Sequence, residues 1–260
     1  EDGAVRETLA GTPQGGVISP LLSNIYLGLL DRIWQTRCKH LGVLVRYADD
    51  FVVLCRTESQ CKEALRRIRV ILGRMGLEMH PEKTRVVDMG WGKGSFVFLG
   101  WTVRKKRSIQ RNPRLYFVQR WPSPKATKRI RDRIHELTDV RDGQARTLDE
   151  LIVRLNPVVR GWGNYFRTGN ADREFNKIDR YVRQRVLQWQ KRRGGQRTRF
   201  RYDRWPPERL HEMGLHRLRG TVRYPQAAAP RKPCQENPSA SCVREIRTHS
   251  LKGGAGNGPR

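Results

Sequence analysis

Two adjacent aspartates, Asp49 and Asp50, are the residues best placed to do chemistry. They close the tetrapeptide Tyr47-Ala48-Asp49-Asp50, which lies between Val43-Leu44-Val45-Arg46 and Phe51-Val52-Val53-Leu54-Cys55. Both flanking runs are of strand length and rich in aliphatic, β-branched residues, so the pattern predicts strand, tight turn, strand. The carboxylates then sit at or beside an exposed hairpin tip with rigid strands behind it. Adjacent carboxylates repel each other, and a hard divalent cation with oxygen ligands is the natural compensation. Carboxylate-held magnesium pairs stabilise attacking and leaving oxygens in phosphoryl transfer. Aspartate is also a common turn residue, and on the hairpin alone a plain Asp-Asp turn is the stronger reading.

The elements around the hairpin follow from spacing. Ser19-Pro20 is a helix start, with Ser as N-cap and Pro at the first helical position. Ile18, Leu21, Leu22, Ile25, Leu29 and Ile33 recur at helical intervals, predicting a helix over 20–37 that packs under the sheet through that face. The loop ahead of it, Pro13-Gln14-Gly15-Gly16, can approach a ligand closely through its two glycines. A plain helix-entry turn explains it as well. Beyond the hairpin, Cys61, Leu65, Ile68, Leu72 and Met75 form one apolar face of a helix over 58–75, closed by Gly76. Short strands are expected over 84–89, 95–103 and 115–121. Pro122-Ser123-Pro124 then marks a change to helices over 125–139, 147–167 and 172–193, the second interrupted by Pro157, which should kink it. Residues 226–260, rich in Ala, Pro, Ser and Gly, are expected to be disordered.

Charge points to the partner. The 260 residues hold 53 Lys+Arg against 25 Asp+Glu, a net charge of +28 and a pI near 11.1. A soluble small domain needs only about 2–8 net charges, so a field of this size reads as an attractor of polyanions. Residues 104–133 alone carry 12 Lys/Arg and one acid, with Tyr116, Phe117 and Trp121 interleaved. That mixture suits phosphate neutralisation plus stacking, although aromatics alternating along a strand are more often core. No run of about 18 apolar residues exists to span a membrane, and no signal peptide is evident. Five cysteines, Cys38, Cys55, Cys61, Cys234 and Cys242, form no Cys-x-x-Cys pair. Their odd number favours reduced thiols and a cytoplasmic location over a disulfide framework.

Several ordered motifs together resemble one family. Gly11-Thr12-Pro13-Gln14-Gly15-Gly16 running into Val17-Ile18-Ser19-Pro20-Leu21-Leu22, followed by Tyr47-Ala48-Asp49-Asp50, resembles the palm of a reverse transcriptase of the group II intron-encoded type. Leu77 to Thr84 is similar to the segment after the catalytic hairpin, Phe98-Leu99-Gly100 to the primer grip, and Arg160-Gly161-Trp162-Gly163-Asn164-Tyr165-Phe166-Arg167 to the maturase core. The resemblance implies an α+β fold: a partial polymerase palm, an antiparallel sheet with packed helices, over 1–121. A helical thumb/maturase domain over 122–193, a basic DNA/RNA-binding extension over 194–225 and a disordered tail over 226–260 would follow. It implies an RNA-directed DNA polymerase and splicing maturase of a mobile group II intron. Asp49 and Asp50 would be both catalytic residues and Mg²⁺ ligands of a two-metal site. Gln14, Gly15, Tyr47, Lys83, Phe98, Leu99 and Gly100 would contact nucleotide or primer. Lys83 is equally readable as a solvated loop lysine. Arg104, Lys105, Lys106, Arg107, Arg160 and Arg167 would contact RNA. Intron RNA, an RNA template with DNA primer, deoxynucleotides and target DNA are the implied partners. In the family the fingers and first palm half, with a further aspartate, precede the Gly11 loop, so the resemblance implies a fragment whose two-metal site is incomplete and which is inactive alone. The competing reading is a non-catalytic RNA-binding splicing cofactor.

Overall fold

The computed structural model describes residues 18–108, 116–142, 145–193, 205–224 and 242–247. The chain divides into two compact units. The first draws on Glu1–Phe98, Arg104–Phe117 and Gln235–Arg260, the second on Leu99–Val103 and Val118–Cys234.

In the first unit, α1 (Ser19–Ile33) leads through a π-turn at Trp34–Cys38 into β1 (Val43–Tyr47) and β2 (Asp50–Cys55). The two strands pair antiparallel with Tyr47 opposite Asp50, so the hairpin loop is the two residues Ala48 and Asp49. α2 (Glu58–Arg74) follows behind a capping box: Thr57 Oγ1 accepts from the Gln60 amide at 3.2 Å, and Gln60 Oε1 accepts from the Thr57 amide at 3.3 Å. β3 (Arg85–Asp88) completes the local strands. The core is the inward row of the hairpin, Phe51, Val53 and Cys55, packed on Cys61, Ala64, Ile68 and Leu72 of α2 and on Leu27, Leu30 and Trp34 of the α1 segment.

The helix α1 meets this core through a different face from the one its spacing predicts. Leu27, Leu30 and Trp34 are buried, while Ile18, Leu21, Leu22, Ile25 and Leu29 are exposed, Ile25 at 67%. The helix is apolar on nearly every side, so periodicity could not choose between faces. Ser19 is also the first helical residue, with Ile18 in the cap position and no side-chain cap bond.

The tail, expected to be disordered over 226–260, contributes a strand. Cys242–Arg247 forms β7, inserted between β2 and β3 in the sheet order β1-β2-β7-β3, antiparallel to both. Val243 and Ile246 are β-branched, but Cys242-Val243 and Arg244-Glu245 fall in like pairs, so the segment carries no period-two alternation to set it apart from its Pro- and Gly-rich surroundings.

The expected strand over 95–103 is two strands, β4 (Ser95–Phe98) and β5 (Trp101–Arg107), in a three-stranded sheet with β6 (Tyr116–Pro122). Leu99 (φ 48°) and Gly100 (φ 77°) both take left-handed conformations, which is what a two-residue hairpin turn needs.

The second unit is built on α3 (Pro124–Leu137), α4 (Leu148–Phe166) and α5 (Asp172–Arg193). Ser123 caps α3 and Thr147 caps α4 through their hydroxyls, each bond at 3.2 Å. α4 runs as one helix through Pro157. Ile130 and Ile134, Leu151, Leu155 and Val159, and Phe175, Ile178 and Val182 form the core. A short helix, α6 (Pro207–Glu212), and the irregular stretch after it add Leu210, Leu215 and Leu218 to that core. Asn156 donates to Gly214 O at 2.8 Å and accepts from the His216 amide at 2.8 Å. Asp179 accepts from the Leu218 and Arg219 amides at 3.0 and 2.9 Å. The described part of the basic extension is therefore latched into the helical unit.

Candidate active site and nucleic-acid contacts

The hairpin tip is held from behind. Leu44 and Arg46 lie on the inward side of β1, opposite Val53 and Phe51. An arginine in that row must find a carboxylate, because burying an unpaired charge is costly. It finds Asp31 on α1: Arg46 Nε lies 3.0 Å from each carboxylate oxygen and Nη2 lies 2.6 Å from Oδ2. Arg46 Nη1 donates to Asn24 Oδ1 at 3.0 Å and to the Ala48 carbonyl at 2.7 Å. One guanidinium thus ties the loop backbone to α1. Ala48 sits at φ 52°, unusual for a residue with a Cβ, so the loop stays in this shape because its surroundings impose it.

Asp49 occupies the loop and Asp50 opens β2. Asp50 Oδ1 is buried and has no hydrogen-bond partner. A buried carboxylate oxygen without a donor is costly, and a cation would relieve it. Among the described residues no three His, Cys, Asp or Glu side chains come together as a metal cage. Magnesium is commonly held by one or two carboxylates with waters and substrate phosphates completing its shell, and this donor set fits that mode.

The other predicted residues separate by position. Tyr47 is exposed at the end of β1, opposite Asp50. Lys83 lies two residues before Arg85, and Arg85 stands level with Val52 through β7, so the register carries Lys83 toward the tip end of the sheet. Its amide donates to His80 O at 3.2 Å. Gln14 and Gly15 lie outside the described residues. Phe98 ends β4, and Leu99 and Gly100 form the β4–β5 turn, a tight corner where an extended strand was expected. Leu99 O accepts from Tyr165 OH at 2.8 Å, and Gly100 O accepts from the Ser123 amide at 2.8 Å.

Arg104 is exposed on β5 and donates twice to Gly92 O, at 3.0 and 2.8 Å. Lys105, Lys106 and Arg107 continue the same strand. Arg160 is exposed on α4, and Arg167 is half-buried at its end, where its carbonyl accepts from the Arg223 amide at 2.8 Å. Between them, Phe166 is buried and Trp162 packs beside it, the two rings 4.9 Å apart. Tyr165 is 52% exposed. The maturase-like motif thus splits into a core aromatic pair, a hydrogen-bonded tyrosine, an exposed Arg160 and a half-buried Arg167. Arg46 and Asp31 are the residues that the motif reading missed. Their signal was an arginine in phase with the inward Leu44.

Two family models match the chain in this order. A reverse transcriptase (RNA-dependent DNA polymerase) model matches residues 1–103, and a group II intron, maturase-specific domain model matches residues 127–205. Protein YkfC of Escherichia coli K12 is 31% identical over a match covering 41% of this chain and 35% of the relative. An uncharacterized 91 kDa protein in a cob intron of Schizosaccharomyces pombe is 23% identical, with 61% of this chain and 28% of the relative covered. The chain thus spans about a third or less of the length of these curated relatives.

Proposed function

We propose that this chain, a member of the group II intron reverse transcriptase/maturase family, supplies the catalytic hairpin of an RNA-directed DNA polymerase together with an RNA-binding maturase unit. The observation that carries the polymerase reading is the Arg46-anchored tip, where Asp50 presents a buried, unpartnered carboxylate oxygen beside Asp49. In the proposed reaction the primer 3′ oxygen forms a bond to the α-phosphorus of a deoxynucleotide. The bond to pyrophosphate breaks, and the hydroxyl proton passes to solvent. Asp49 and Asp50 would hold magnesium at the reacting phosphate. When bound, magnesium supplies charge stabilisation to the attacking and leaving oxygens. Arg46 keeps the loop from relaxing out of its left-handed conformation, and Lys83 stands toward the same sheet end for phosphate charge. Leu99 and Gly100 offer a rigid corner for the primer. Intron RNA and an RNA template with DNA primer are the proposed nucleic-acid partners, through Arg104 to Arg107 and through Arg160 and Arg167; target DNA is a further one.

Catalysis of this kind rests on positioning and electrostatics, so the count of carboxylates matters. The described residues offer two at the tip, and the proposal is that a third comes from another segment of the reverse transcriptase domain. That same count favours the second reading, an RNA-binding splicing cofactor with no polymerase chemistry. Two assays separate them. Primer extension in magnesium, with a separately expressed fingers-palm polypeptide added, reports the polymerase. Splicing of an intron transcript at low magnesium reports the cofactor. DNA synthesis that needs Asp49 supports the first reading. Splicing stimulation with no synthesis under any complementation leaves only the second.

A further inference from the structure

The second unit carries a groove of about 740 Å³ between β6, α3 and α5 that none of the motif residues lines. Its size is that of a small-ligand site. Its walls combine two chemistries. Trp121, from the end of β6, and Tyr181, from α5, are aromatic, and the Arg131 guanidinium lies over the Tyr181 ring, 4.5 Å from its centre. Lys128 and Arg180 add cations for which no described carboxylate is a partner, whereas Lys177 is already paired with Glu174 at 2.7 Å. Asp132 is the remaining acid in the wall, so the groove stays net positive. Thr127 lines it too, and its hydroxyl oxygen is buried without a hydrogen-bond partner.

From this arrangement we infer that the α3–α5 groove is a binding site for an unpaired ribonucleotide of an RNA strand. Its base stacks against the Trp121 and Tyr181 walls, its phosphates lie at Lys128 and Arg180, and a ribose hydroxyl satisfies Thr127. The inference rests on the proposed RNA-binding role and gives it a second, separate surface. Each element is needed for this ligand. Aromatic faces bind bases of any sequence, cations track the backbone, and the 2′-hydroxyl distinguishes RNA from DNA. A duplex offers no unstacked base to such a groove.

The test uses the full chain and a short oligouridine carrying 4-thiouridine, within the ~4–16 nucleotides that single-strand modules cover. Photo-crosslinks are expected on peptides containing Trp121 or Tyr181. Lys128→Gln with Arg180→Gln should lower the salt slope of binding by about 1.4, at ~0.7 per phosphate contact. Tyr181→Leu should weaken binding about 5- to 150-fold with the slope unchanged, the range for one lost base stack. Thr127→Val should narrow the preference for RNA over the same DNA. Circular dichroism checks that each variant folds, and the crosslinks need no variant. Crosslinks confined to other peptides, or an unchanged slope in the double variant, would overturn the groove. If serine at Arg104, Lys105, Lys106 and Arg107 then abolishes binding, the RNA-binding reading survives without it. A preference for duplex over the unpaired strand also overturns the site. Failure of the unaltered chain to bind any RNA overturns both.

Discussion

Arg46 links the candidate chemistry to the fold, because its guanidinium holds Asp31 and the Ala48 carbonyl at once. Its side chain is 11% exposed and that of Asp31 34%, so the pair is only partly screened by water. Arg46→Gln keeps a polar group there but loses the charge and the fork. It is expected to cost about 1–3 kcal/mol in urea unfolding. In a complemented enzyme it should lower primer extension while RNA affinity holds. An unchanged stability would mean that the tip is held by something else. Ala48 makes the opposite test. Its left-handed backbone costs about 1–2 kcal/mol for a residue with a Cβ, against roughly 0.5–1 lost to glycine's greater freedom in the unfolded chain. Ala48→Gly should therefore be neutral or stabilising by up to ~1.5 kcal/mol, and a clear loss would contradict the strained-turn account.

The elements show which physical signals a sequence carries and which it withholds. The hairpin, α2 and the three long helices of the second unit follow from periodicity and caps, with bounds within a residue or two of expectation. Three features did not follow. The buried face of α1 was hidden by apolar residues all round it, the 95–103 strand breaks at Leu99, a residue that rarely turns left-handed, and β7 lies within a composition that reads as disordered. The α1 assignment is open to measurement. Leu30→Ala removes a fully buried side chain and should cost about 2–5 kcal/mol. Leu21→Ala, on the exposed stripe, should fall within ~0.5 kcal/mol. The reverse ranking would restore the face that spacing suggested. In the second unit Arg185 is buried, donates to Thr138 Oγ1 at 2.9 Å and reaches Gln188 Oε1 at 3.2 Å. It supplies positive charge at the C-terminal end of α3, where the helix dipole favours it. Arg185→Ala should cost about 2–4 kcal/mol by thermal or urea unfolding, since it opens a gap and strips Thr138 of a donor.

For the whole molecule, the charge of +28 dominates. No described helix is long and apolar enough to cross a membrane, and the field suits a polyanion. RNA binding should fall steeply with salt: if the basic strand and its surroundings neutralise ~6–10 phosphates, affinity drops about 10³- to 10⁵-fold between roughly 50 and 200 mM. Serine at Arg104, Lys105, Lys106 and Arg107 should make that slope shallower. The central claim, that the hairpin tip is a polymerase metal site on an RNA-binding chain, meets its most direct test in a paired measurement on Asp49→Asn. Template-primer extension in millimolar magnesium, with the fingers-palm polypeptide supplied, is run beside an RNA-binding titration. The account predicts DNA product from the unaltered pair, none from the chain without its complement, none from Asp49→Asn, and the same RNA affinity throughout. Extension that persists with asparagine at position 49, or RNA affinity lost together with extension, would contradict it.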